Sequence, residues 1–268
     1  MTPRGCADTI QRMGSSDQSS TSVPIIQFSK VTYEVAEQPL LSDVSFSAAS
    51  GDTLLLLGRS GAGKTTALKL INRLLTPTRG EVIVNGRSTT SSDPIQLRRS
   101  IGWVIQESGL FPHYSVEKNI ALVPELERWP AERVRARVAE LMQLLGLDEN
   151  LRARYPHQLS GGQRQRVGVA RALAADPHIL LMDEPFGALD PITRAELQKQ
   201  FLGLQQRLRK TVVMVTHDVR EALLLGTGIA LFDAGRLIGL FRKDEFARSA
   251  DPRVREYMAP LREAALPV

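Results

Sequence analysis

The sequence predicts an α/β fold built on a mainly parallel sheet with helices on both faces. Three observations carry this. Short apolar runs at residues 53–57, 179–182 and 211–215 have the length and continuity of strands buried on both sides. Segments with apolar residues at helical spacing alternate with them, notably Val134, Val138, Leu141, Met142 and Leu145, then Leu197, Phe201, Leu204 and Leu208. A stretch of helical character from about residue 92 to residue 160 interrupts the alternation and reads as an inserted helical subdomain.

Taken in order, residues 1–23 are rich in Ser, Thr and Gln and hold few large apolar side chains. They bury too little to offset the entropy of ordering, so a disordered tail is expected. Residues 25–33 and 43–48 have strand character, and Gly51-Asp52 reads as the turn before the buried run at 53–57. A helix should run from Lys64 to about Leu75, stopped by Pro77. Residues 81–84 followed by Asn85-Gly86 read as a strand entering a tight turn. Pro130 stands where a first helical residue is favoured, and Gly146 closes that helix. Another helix opens after Ser160 and runs through Leu173, and short strands near 229–232 and 237–240 finish the core. The ordered domain thus spans 24–240, with 241–268 as a short C-terminal extension.

Composition bounds the function. The chain has 268 residues, 43% apolar and 24% charged, enough for a sizeable core. It lacks the run of about 20 apolar residues that a membrane helix needs and lacks an apolar N-terminal signal, so a cytoplasmic protein is expected. A single cysteine, Cys6, excludes an intramolecular disulfide. The net charge of +5 comes from scattered arginines without interleaved aromatics, which argues for a solvated surface and against a nucleic-acid partner. His113, His157 and His178 show no ligand spacing, so no histidine metal site is expected.

Three motifs carry chemistry. Gly58-Arg59-Ser60-Gly61-Ala62-Gly63-Lys64-Thr65-Thr66, between a buried strand and a helix, has the form of a phosphate-binding loop of P-loop NTPases. Glycines there let backbone N–H groups and a helix N-terminus face an anion. Lys64 should reach the β- and γ-phosphates, and Thr65 should place its hydroxyl on Mg²⁺. Asp183 and Glu184 end a buried apolar run, where a carboxylate is costly without a cation. Asp183 is the expected Mg²⁺ ligand and Glu184 the expected general base for water. Leu159-Ser160-Gly161-Gly162-Gln163 places a serine and open N–H groups before a helix, a second anion site.

These three motifs, with the Leu159–Gln163 run lying between the phosphate loop and Asp183-Glu184, resemble the ATP-binding cassette (ABC) family of transporter ATPases, over roughly residues 24–240. The resemblance implies a RecA-like core, an antiparallel β part near the N-terminus, and ATP and Mg²⁺ as cofactors. It implies that Ser160, Gly161, Gly162 and Gln163 clamp ATP held by a second copy, in a head-to-tail homodimer. Gln106 resembles the glutamine that contacts Mg²⁺ and water. Asp190 resembles the interface aspartate, and His217 the histidine that senses the γ-phosphate. The family stacks an aromatic on adenine about eight residues before Asp43; Val35 stands there, and Tyr33 is the nearby aromatic. Membrane-spanning permease subunits are the implied partners, with Gly109-Leu110-Phe111-Pro112 at their docking place and a solute-binding protein acting indirectly. The motor would then sit on the inner face of the cell membrane.

Ile71-Asn72-Arg73-Leu74 and Asn119-Ile120-Ala121-Leu122-Val123-Pro124 are similar to the importer group for osmoprotectants and quaternary amines, as is the run from Val104 to His113. Glycine betaine, choline or carnitine is the implied solute. Another solute, an exporter, or an ABC ATPase acting on DNA are the alternatives. The last needs a long coiled coil between the phosphate loop and the Ser160 run, and no heptads run there.

Overall fold

The computed structural model describes residues 24–106 and 109–263. The expected disordered tail and Cys6 lie outside the described residues. Two sheets organise the chain. The smaller is antiparallel, with β1 (Pro24–Val35) between β2 (Gln38–Ala49) and β4 (Arg79–Val84), and β5 (Arg87–Ser88) beyond β4. The hairpin from β4 to β5 turns on Asn85 and Gly86, with φ of 52° and 72°, the paired positive values that a two-residue turn of matching twist needs.

The larger sheet contains β3 (Thr53–Leu57), β6 (Ile101–Val104), β7 (Ile179–Asp183), β8 (Thr211–Thr216), β9 (Gly228–Asp233) and β10 (Arg236–Arg242). Its order is β10-β9-β3-β8-β7-β6, and all neighbours are parallel except the edge pair β9–β10. The central strands β3, β7 and β8 are buried at every position. Alternate residues feed two cores: Leu55, Leu57, Met182 and Met214 join the helical side, while Leu54, Leu56, Leu181 and Val215 join the side of the smaller sheet. A strand apolar on both faces is what a sheet between two layers requires.

The helices are α1 (Lys64–Ile71), α2 (Pro94–Arg99), α3 (Val116–Leu126), α4 (Ala131–Leu144), α5 (Gly161–Leu173), α6 (Pro191–Leu208), α7 (Val219–Leu225), α8 (Lys243–Arg248) and α9 (Pro252–Glu263). The apolar stripe expected on α4 is buried at Val134, Val138, Leu141 and Met142.

Some local features differ from expectation. Helix α1 ends at Ile71, well before Leu75 and Pro77, because Arg73 takes a left-handed φ of 53° and the Asn72 side chain accepts from the Leu74 amide. Pro130 is the N-cap of α4, one position ahead of its first turn. In agreement with the sequence, the strand-like run Gly102-Trp103-Val104-Ile105 inside the helical stretch corresponds to β6 (residues 101–104), at the edge of the large sheet and paired with β7. The C-terminal residues form α8 and α9, neither of which the sequence signalled; Phe246 and Val254 are fully buried there.

Candidate nucleotide site

The site lies beyond the carboxyl ends of β3, β7 and β8, where ligands of parallel sheets bind. Pairing of Leu57 with Thr216 and of Asp183 with Val215 brings these three strand ends level. After Leu57 the chain wraps from Gly58 to Gly63 and enters α1. Two glycines there are sterically required. A Cβ on Gly58 would lie 2.5 Å from the Phe232 carbonyl oxygen, and one on Gly63, at φ 96°, 2.6 Å from Leu41 Cδ2.

Lys64 is buried inside this loop. Its Nζ donates to the carbonyls of Gly58 (2.7 Å) and Arg59 (2.8 Å). Burial pushes its ammonium below the ordinary lysine value, and the Glu184 and Asp183 carboxylates oppose that shift. Ser60 and Gly61 are exposed at the tip, Ala62 is buried, and Thr66 is half-buried on the first turn of α1. The Arg59 side chain points away from Lys64, toward α9.

Thr65 Oγ1 donates to Asp183 Oδ1 at 2.9 Å. Asp183 is 8% exposed; burial raises its carboxyl above the ordinary range, and the Thr65 hydrogen bond opposes this. A buried carboxylate next to a hydroxyl, with its charge only partly compensated, is a donor set suited to a hard divalent cation. Glu184 has a left-handed φ of 43°, and its amide donates to Val215 O at 3.1 Å. Such a conformation in a non-glycine residue costs of order 1–3 kcal/mol and aims the side chain out of the strand. His217 Nδ1 lies 3.2 Å from Glu184 Oε2.

The structure therefore brings Lys64, Thr65, Asp183, Glu184 and His217 into one cluster. Gln106 is exposed just beyond β6. Ser160 caps α5, accepting from the Gln163 amide at 3.2 Å while Gln163 Oε1 accepts from the Ser160 amide at 2.9 Å. This reciprocal capping leaves the serine hydroxyl at a fixed place on the helix N-terminus. Gly161 lines a cavity of about 300 Å³ together with Arg164, Glu184 and Leu189. Asp190 caps α6; hydrogen bonds from the Thr193 side chain and backbone hold its carboxyl below the usual range. Tyr33 is half-buried opposite Leu41, the residue that touches Gly63, whereas Val35 is 50% exposed at the end of β1.

Sequence reasoning overlooked Thr216 and Asp218. Thr216 Oγ1 accepts from the Asp218 amide, and Asp218 caps α7 through the Arg220 amide, so both fix the turn that bears His217. An Asp directly ahead of a helical segment was the available signal.

The fold and cluster define a P-loop ATPase. Residues 41–187, more than half of the chain, match the ABC transporter family, and the chain belongs to that family. It is 51% identical to the glycine betaine uptake system ATP-binding protein YehX of Escherichia coli (strain K12), over 80% of this chain and 70% of that protein. It is 47% identical to the choline transport ATP-binding protein OpuBA of Bacillus subtilis (strain 168), over 81% of this chain, but spans only 58% of that relative. Against the osmoprotectant import ATP-binding protein OsmV of Salmonella typhimurium the identity is 50%, over 78% of this chain and 55% of that one. Among solved structures, the ATP-binding cassette MJ0796, a dimer in a post-hydrolysis state bound to ADP and Pi, superposes with a TM-score of 0.73 at 34% identity. That match covers 81% of this chain and 98% of the other.

Proposed function

We propose that this chain is the ATP-hydrolysing motor of an importer for a small quaternary-amine osmoprotectant such as glycine betaine, choline or carnitine. The observation that carries the motor reading is the cluster of Lys64, Thr65, Asp183, Glu184 and His217 at three level strand ends. The solute class rests on the relatives named above.

Lys64 leaves its two carbonyl partners and takes the β- and γ-phosphates, which also restores its charge partner. Thr65 and Asp183 hold Mg²⁺, with Gln106 entering from the β6 side. A cation held by these residues would supply positive charge to offset that of the phosphates. Glu184 accepts a proton from the attacking water, a role worth about 10²–10⁴ in rate. His217, held beside Glu184, senses the γ-phosphate, and Tyr33 or Val35 faces the adenine. The capped N-terminus of α5, with Ser160, Gly161, Gly162 and Gln163, engages ATP on a second copy, and Asp190 lies in that interface. ATP then stabilises a closed dimer that hydrolysis opens, a ligand-driven shift between two states.

Among the described residues no helix is long and apolar enough to cross a membrane. By analogy with the transport ATP-binding relatives, the motor works through permease subunits, docked near Gly109-Leu110-Phe111-Pro112 on the inner face of the membrane. Isolation of the tagged chain from gently solubilised native membranes should recover a multi-spanning permease and a solute-binding protein. That binding protein should melt at higher temperature with a quaternary amine. Recovery of soluble or DNA-bound partners alone would refute the transport reading; a binding protein answering only to another solute would refute the solute class.

A further inference from the structure

Helix α9 connects the C-terminal part of the chain to the nucleotide site. Val254 is fully buried and Met258 nearly so, anchoring α9 in the core shared with α7. Helix α7 itself begins two residues after His217. From this seat α9 turns two side chains toward the phosphate loop. The Glu256 carboxylate accepts from the Arg59 guanidinium. The Tyr257 hydroxyl is buried beside the Arg59 main chain, and that burial raises it above the ordinary tyrosine value. Arg59, His217, Arg220, Glu256 and Tyr257 all line one cavity of about 400 Å³. A single helix thus borders both segments placed around the terminal phosphate, the loop of Lys64 and the turn of His217.

Arg59 is the second cation of the phosphate loop, after Lys64. Its partner is an anion of this same chain, and a nucleotide brings several more negative charges to the same loop. Two effects follow, and they share a sign. The phosphates and Glu256 compete for one guanidinium, and the Glu256 charge repels the phosphates directly. Both side chains of the pair are open to water, 71% and 61% exposed, so the interaction is screened and its weight is a matter of a few-fold.

We propose that α9 is a built-in restraint on nucleotide binding, in which Glu256 competes with the phosphates of ATP for Arg59. The inference rests on the ATP-binding reading above. It is tested by equilibrium binding of ATP to the full chain, at low and high salt, for the wild type, Glu256→Gln, Arg59→Gln and the double variant. Glu256→Gln should bind ATP roughly two- to five-fold more tightly at low salt. The gain should shrink at high salt and be mostly lost when Arg59→Gln is also present, while the melting temperature without nucleotide stays unchanged. Unchanged or weaker ATP binding by Glu256→Gln, a gain insensitive to salt, or a shifted nucleotide-free melting temperature would overturn the restraint. Absence of ATP binding by the wild type would overturn the ATP-binding reading itself.

Discussion

At Gly63 two demands meet in one residue. Its φ of 96° is hostile to a side chain, and a Cβ would press on Leu41 Cδ2 and on the Leu40 carbonyl oxygen at 2.9 Å. Gly61, at φ 80°, shares the first demand but has open space around it. Gly63→Ala should therefore destabilise the fold by about 2–4 kcal/mol, combining backbone strain with displacement of β2, whereas Gly61→Ala should cost only about 1 kcal/mol. Urea denaturation of the two variants checks the ordering; equal losses would mean that the approach of β2 to the loop is not as tight as described. Residues of this kind were legible because the phosphate loop, the Ser160–Gln163 run and the acidic strand end are each a contiguous stretch of sequence. Local spacing alone names Lys64, Thr65, Asp183, Glu184 and Ser160. The pairing of the Arg59 side chain was not legible, for the converse reason: its partner Glu256 is 197 positions away, and no local pattern reports it.

Among elements, strands were legible and the late helices were not. The runs at β3, β7 and β8 are apolar at nearly every position because both faces are covered, a signal independent of neighbours. Helix α8 has six residues and buries one, Phe246, which is too little periodicity to detect. That residue nevertheless has 0% exposure and stacks edge-on to Phe241 of β10. Phe246→Ala should cost about 3–5 kcal/mol and lower the single unfolding transition, since α8 joins the main core. A separate early transition would show instead that the C-terminal helices fold apart from it. Helix α7 carries a different cost. Glu221 is 6% exposed, accepting from Gln198 Nε2 at 2.9 Å, and burial raises its carboxyl above the ordinary 4.5. A raised carboxyl favours folding most below pH 4.5, and that contribution disappears as pH rises through the folded value. Ionised Glu221 is thus a net burden at neutral pH. Glu221→Gln, which keeps the acceptor, should melt higher than wild type near neutrality, with the difference closing on acidification. A variant that melts lower at neutral pH would show that the charge is stabilising.

For the whole molecule, the proposed function makes one copy incomplete. The phosphate loop and the Ser160–Gln163 run, the two anion sites proposed above, head different helices, α1 and α5, and each is held by its own local bonds. Lys64 is satisfied by Gly58 and Arg59, and Ser160 by Gln163. Under the proposed function, the two sites meet a single γ-phosphate only when two copies pack head to tail. The most direct test is the particle mass of Glu184→Gln with ATP and Mg²⁺, measured by light scattering on a sizing column. The account predicts slow hydrolysis and a particle of twice the 29.6 kDa chain, returned to one chain when Ser160→Arg is added. A Glu184→Gln chain that stays single with ATP bound, or a dimer indifferent to Ser160→Arg, would contradict it.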